Sequence, residues 1–183
     1  MRLILVFVIL ILCSSCSSTQ NYSDIELTWE KALVFFPSKK MHKEKSLLRI
    51  EEIKINEINY KNKMPLLLYL HGCTGLGDGS FLQKLSSIGI VIIAPDSFAR
   101  SYRPMQCNPK TKKGGKNLFI YDFRSAELTY ALEKISEIPW IDYDNLFLFG
   151  ASEGAVTAAL FRGNVFNGRV IAQWTCTGAP LIE

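Results

Sequence analysis

Histidine is scarce: His42 and His71 are the only two in 183 residues. They stand far apart, and the 5 cysteines are scattered, so no metal-ligand spacing exists and neither a metal nor another cofactor is expected. Excess charge is lacking too. Lys+Arg number 21 against 17 Asp+Glu, a net +4 with a pI near 8.8. That is too mild for a nucleic-acid footprint, and the basic residues sit in loops without interleaved aromatics. No apolar run reaches the roughly 20 residues that span a bilayer. No internal repeat is present. With 48% hydrophobic and 21% charged residues, disorder, collagen and low-complexity readings are excluded. A chain of this length is one domain that can bury its core without staples.

The longest apolar run, residues 3–13, follows Met1 and Arg2 and has the length and flanks of a secretory signal. Ser14-Ser15-Cys16 then resembles the lipobox of bacterial lipoproteins, with lipid added to Cys16, although Cys13 stands where that box prefers Leu. Simple secretion and an uncleaved anchor are the other readings. Ser17 resembles the outer-membrane sorting signal of a host with two membranes, facing the periplasm. The expected organisation is a signal peptide at 1–15, a lipidated tether at 16–28 and a domain at 29–183. Export permits disulfides. Beyond Cys16 come Cys73, Cys107 and Cys176, an odd number, so one thiol stays unpaired or finds a partner elsewhere.

Lys39, Lys40, His42, Lys43 and Lys45 read as a solvated loop. Strands are expected at 47–58, 64–70, 89–94, 145–149 and 170–175; the second and third are unbroken apolar runs, the pattern of strands buried on both faces. Helices are expected at 80–87, capped by Ser80, at 122–138, and at 153–161. In the longest, Phe123, Ala126, Leu128, Ala131, Leu132 and Ile135 share one side, and Pro139 ends it. Residues 99–117 form a long loop of the kind that is usually functional or mobile. Strands alternating with helices predict an α/β fold, a mostly parallel sheet with helices on both faces.

The informative stretch is Gly150-Ala151-Ser152-Glu153-Gly154, between the strand at 145–149 and a helix. That is the setting of a nucleophile elbow. The glycines let neighbouring backbone approach, while Ser152 is held strained with its hydroxyl exposed. The helix behind it aims its N-terminal amides and positive dipole end at the same place. A second element fits the first: the buried strand at 64–70 ends in His71-Gly72-Cys73.

Together with Ala94-Pro95-Asp96-Ser97-Phe98-Ala99-Arg100, these motifs resemble the dienelactone hydrolase family of α/β-hydrolases, particularly exported members, over residues 64–178. The resemblance implies an α/β-hydrolase-type sheet and a small ester or lactone substrate. It implies an oxyanion hole made by the Cys73 and Glu153 amides, with His71 bracing the loop. It assigns Arg100 to a substrate carboxylate; a surface arginine on a loop is the other reading. The best-known members use Cys where this chain has Ser152, which separates it from the dienelactone substrate itself. Cys73 and Cys107 flank the inferred site. A bond between them would pin the long loop over the pocket; Cys73 as a nucleophile is the lesser alternative.

A serine hydroxyl needs a general base. In this fold the chain order is Ser, then Asp or Glu, then His. Beyond the elbow the only acid is Glu183, and there is no His. The family carries its acid and base on further strand–helix units. The sequence is therefore expected to lack those last units and, as it stands, to be inactive or nearly so. The alternative is a non-catalytic, membrane-anchored lipoprotein that keeps the fold as a binding module.

Overall fold

The computed structural model describes residues 23–37, 47–55, 58, 60–108, 110–111, 113–114, 117 and 119–173. The signal segment at 1–15, Cys16, the tether to residue 22, the basic cluster with His42, and Cys176 lie outside the described residues.

Side chains alternate between two apolar clusters along the central strands. In β3 (Met64–Leu70), Leu66, Leu68 and Leu70 join one cluster while Leu67 and Tyr69 face the other. In β4 (Val91–Ala94), Val91 and Ile93 go with the first, Ile92 and Ala94 with the second. Both faces are covered, which is why the sequence shows unbroken apolar runs here. β7 (Ile141–Ala151) flanks β3, and β8 (Gly168–Ala172) flanks β7; these four strands run parallel. At the far side β1 (Leu33–Phe35) pairs antiparallel with β4 and with β2 (Leu47–Arg49), giving the order β2-β1-β4-β3-β7-β8. β8 is an edge strand whose Val170 and Ile171 are exposed.

Helices cover both faces. Trp29 of α1 (Asp24–Glu30), Leu128, Ala131 and Ile135 of α3 (Ile120–Ser136) and Ala158 of α4 (Glu153–Leu160) enter the first cluster. Leu82 of α2 (Ser80–Ser86) enters the second. A small hairpin, β5 (Cys107–Asn108) with β6 (Lys113–Gly114), interrupts the long loop.

Several elements differ from expectation. Residues 23–28, expected as tether, begin α1: the Ser23 hydroxyl accepts from the Glu26 amide at 3.4 Å and the Glu26 carboxylate from the Ser23 amide at 2.6 Å. This reciprocal cap, with Trp29 buried behind it, makes the segment part of the domain. The strand expected at 47–58 stops at Arg49, where the Glu52 carboxylate takes the Arg49 amide at 2.7 Å and the chain turns through a short 3-10 helix. β1 was not foreseen. Ser80 is the first helical residue; the cap is Gly79 at φ +70°, while Asp78 accepts from the Ser80 amide at 3.0 Å. On α3 the buried face holds Arg124 and Glu127, whereas Ala126 is exposed.

Candidate active site

β7 carries the chain into Ser152, and α4 starts at the next residue. Ser152 has φ 53°, ψ −109°, a left-handed bend rare outside glycine. Its amide donates to the Ala172 carbonyl at 2.8 Å and its carbonyl accepts from the Ala155 amide at 3.0 Å, so the strain is held from both sides. Both elbow glycines are steric necessities. A Cβ on Gly150 would sit 2.2 Å from the Gly154 carbonyl oxygen, and one on Gly154 would sit 2.2 Å from that of Leu70. The helix start and the end of β3 touch through bare backbone.

The His71–Gly72 turn passes directly beside the serine. A Cβ on Gly72 would lie 3.3 Å from the Ser152 Cβ and 4.0 Å from its Oγ. Gly72 then accepts from the Gly75 amide at 3.1 Å, and Gly75 takes φ +89°, so the loop folds back on itself. Ser152, Cys73 and Glu153, the three residues expected to form the nucleophile and oxyanion hole, line one cleft of about 900 Å³. Tyr69, Tyr121 and Lys113 also line it.

His71 is fully buried. Its Nδ1–H donates to the Gly72 carbonyl at 2.7 Å, and its Nε2 accepts from the Ser97 amide at 3.0 Å. Those partners assign the neutral Nδ1–H tautomer. Burial, then the Arg124 charge, holds its pKa well below the usual 6.5. With its one lone pair engaged, His71 braces the loop and has nothing to offer Ser152.

Arg100, which the resemblance assigns to a substrate carboxylate, does not line the cleft. Its Nε donates to Glu127 Oε1 at 2.7 Å and its guanidinium lies 5.0 Å from the Phe123 ring. It is absent from the cleft lining and is spent on the interior. Beyond the 3-10 turn at Ser97–Ala99, Arg103, three residues after Arg100, reaches the Glu153 side chain behind the cleft and does not line the cleft either. Arg103 makes a tight ion pair with Glu153 Oε1, donates to Ser97 Oγ at 2.8 Å and stacks on Phe98 at 4.1 Å. Arg124 completes the group: its Nη1 meets Glu127 Oε2 at 2.9 Å, and its Nη2 donates to the His71 carbonyl at 3.1 Å. Sequence reasoning missed this buried cluster, because charges on a helix read as solvated. Burial pushes the Glu153 carboxyl pKa up, against the pull of Arg124 and Arg103.

A disulfide joins Cys73 to Cys107, with the Cα atoms 5.8 Å apart. It ties the turn beside Ser152 to the hairpin that forms the opposite wall of the cleft. Among the described residues no group of His, Cys, Asp and Glu is placed to hold a metal ion, and no helix is long and apolar enough to cross a membrane.

No protein-family model matches the chain, and no curated protein matches it. Solved structures do. A Klebsiella pneumoniae protein assigned as a dienelactone hydrolase is 16% identical with a TM-score of 0.45, over 64% of this chain and 52% of its own. A hyperthermophilic esterase from Pyrobaculum calidifontis is 16% identical at TM-score 0.41, over 62% and 37%. An acetyl xylan esterase from Paenibacillus sp. R4 is 18% identical at TM-score 0.41, over 56% and 37%. The chain spans about half the length of these structures, or less.

Proposed function

We propose that the chain is part of a serine hydrolase of the dienelactone hydrolase type, acting on carboxylic esters or lactones through an acyl-enzyme. The observation that carries this reading is Ser152 at φ 53° on a strand–helix bend, beside the Gly72 backbone and facing a cleft it shares with Cys73 and Glu153. In the reaction, Ser152 Oγ attacks the ester carbonyl. The Cys73 and Glu153 amides hold the developing oxyanion, the alcohol leaves, and water cleaves the acyl-serine. The N-terminus of α4 puts its positive dipole end behind that oxyanion. Export and a lipid anchor on Cys16 would hold the protein at a membrane, on the outer membrane's periplasmic face where the host has two.

The described residues offer no histidine base for Ser152, since His71 is their only histidine and both its nitrogens are engaged. That same observation favours the second reading, a non-catalytic binding module. Without a base, oxyanion stabilisation and binding leave about 10³–10⁴-fold over water, as in the protease case. The test is hydrolysis of p-nitrophenyl acetate by the 183-residue chain beside Ser152→Ala. Activity at most slightly above buffer is expected, and it should fall further in the variant. Robust turnover abolished by Ser152→Ala would instead reveal a base outside the described residues. Reading the gene beyond codon 183 separates the two readings: an in-frame continuation with Asp and His supports the hydrolase, a stop kept in related strains the binding module.

A further inference from the structure

We propose that the hairpin wall of the cleft docks onto an anionic lipid bilayer, a contact separate from any lipid on Cys16. Residues 99–119 hold six cations (Arg100, Arg103, Lys110, Lys112, Lys113 and Lys116) and no acid. The structure separates the four that it describes. Arg100 and Arg103 turn inward to Glu127 and Glu153. Lys110 and Lys113 are left exposed. Besides Glu127 and Glu153, three acids stand near the segment: Asp96 and Asp122, each three residues beyond an end, and Asp24, which accepts from the Ser101 amide at 3.0 Å beside Arg100 and away from the lysines in sequence.

Beside those lysines the same segment exposes large apolar side chains: Tyr102 is 69% exposed, Met105 53% and Phe119 50%. Hydrogen bonds hold the two ends of the segment together. The Asn117 amide donates to Gln106 Oε1 at 2.7 Å, and Asn117 Nδ2 donates to the Met105 carbonyl at 3.1 Å. Met105 and Phe119 therefore flank the base of a hairpin whose pairing, Cys107 with Gly114 and Asn108 with Lys113, carries Lys110 and Lys113 outward. At about 3.3 Å per residue, base and tip are roughly 13 Å apart, within one contact face. The disulfide fixes this face relative to the body of the protein.

Lysines flanked by exposed Tyr, Met and Phe match a headgroup layer, where ammonium groups meet lipid phosphates and apolar side chains enter the acyl boundary. A purely charged partner would leave those three side chains in water. Each lysine near an anionic surface strengthens binding about fivefold at low salt. Lys113 and Gly114 also line the cleft, so docking brings the cleft mouth to the lipid. If Ser152 is the nucleophile proposed above, its esters would arrive as amphiphiles from the bilayer; the docking itself does not depend on that reading.

The experiment uses the full chain. Tryptophan is placed at the hairpin base (Met105→Trp, and separately Tyr102→Trp) and, as control, at Ile88→Trp. Ile88 is 74% exposed and precedes β4, so it lies at the end of the parallel sheet away from Ser152. Quenching by brominated acyl chains is read on phosphatidylglycerol-containing and pure phosphatidylcholine vesicles, with the wild-type signal subtracted. Any attachment by residues 3–13 is common to all variants, so the readout is which position meets lipid. Position 105 or 102 should lose fluorescence on the anionic vesicles, and position 88 should not. The loss should vanish when Lys110, Lys112, Lys113 and Lys116 are all changed to Glu. Equal quenching at 88, no quenching at 102 and 105, or quenching that survives neutral lipid or the lysine reversal overturns the proposal. Lysine-dependent binding of soluble heparin without lipid quenching overturns it in favour of a polyanion. Ser152→Ala should give the same quenching, so a failure of hydrolysis leaves this result standing.

Discussion

Changing Gly154 to alanine sets two physical effects against each other at the elbow. Gly154 lies in the first turn of α4, where alanine is better than glycine by about 1 kcal/mol on helix propensity alone. Packing says the reverse. The new Cβ would stand 2.2 Å from the Leu70 carbonyl oxygen, 2.7 Å from its carbon and 2.8 Å from the Leu70 Cβ, where real Cβ contacts essentially never fall below 3.0 Å. Two of those atoms are backbone of a central strand, so no side chain can swing aside. α4 must back away from β3 by roughly 1 Å, the kind of overpacking that costs about 1–3 kcal/mol. With backbone on both sides the upper figure is expected, a fall of about 6–12 °C in Tm for a domain of this size. Thermal and urea unfolding measure it. Gly77→Ala is the control: nothing lies within 4 Å of its Cβ, so only the strain of φ +67° remains, about 1 kcal/mol. A Gly154→Ala protein as stable as wild type, or more so, would refute the close strand–helix approach on which the position of Ser152 depends.

Two further outcomes follow from the same geometry. The Cys73–Cys107 bond closes a loop with a sequence separation of 34, so its loss by Cys73→Ser with Cys107→Ser should cost about 4 kcal/mol on the chain-entropy account. The urea midpoint of the wild type in reductant should fall to that of the double variant, and a loss under about 1 kcal/mol would mean that the strap constrains little. His71 gives a pH signature. Because its folded pKa is held well below 6.5, the unfolded chain takes up the proton first on acidification. That stability is complete above about pH 6.5 and drains away as the pH drops toward the folded pKa, at up to about 1.4 kcal/mol per unit. Glu153, with its pKa raised above 4.5, works in the opposite sense: its share is lost as the pH rises through the folded value. The His71 share is therefore read as the difference between wild type and His71→Gln, whose acid slope should be shallower; identical slopes from about pH 7.5 to about pH 5 would remove His71 from the account.

How much of this is legible in the sequence depends on where each signal resides. The elbow is legible because its constraint is steric and local: glycines two residues either side of Ser152 and an apolar strand before it. β3 and β4 are legible because burial on both faces leaves an unbroken apolar run. β1 is not, since its three residues, Leu33–Phe35, carry too short a pattern and earn their place by pairing with strands distant in sequence. α1 hides behind polar residues because only Thr28 and Trp29 are buried, yet the Ser23 and Glu26 spacing is a capping signal that could have located it. Arg124 and Glu127 sit on the buried side of α3 against the hydrophobic pattern, and a periodicity argument discards them. Arg100 and Arg103 cannot be told apart by motif, because the path of the backbone after the turn at Ser97–Ala99 decides which one reaches Glu153.

The buried charges are better understood as devices for position than for stability. Three guanidinium groups, Arg100, Arg103 and Arg124, meet two carboxylates, Glu127 and Glu153, around a neutral His71. Ion pairs withdrawn from water often gain no more than an apolar packing of the same volume would, while removal of one partner costs about 3–5 kcal/mol. Such a cluster stabilises little over an apolar alternative but tolerates only one arrangement. Here that arrangement fixes the chain at Ser97, Arg100 and Arg103, each bonded to Glu127 or Glu153. Four residues further on, Cys107 is held to Cys73 by its disulfide. The segment that walls the cleft is thus tied to the elbow helix at one end by charge and to the turn beside Ser152 at the other by a covalent bond. The two ties answer to different conditions. Reduction should free the hairpin while leaving Arg103 on Glu153, and disruption of the charge cluster should loosen the loop start while the hairpin stays anchored. Neither alone should move Ser152, because its bend is held by the Ala172 and Ala155 backbone bonds and by the two glycines, none of which belongs to the loop.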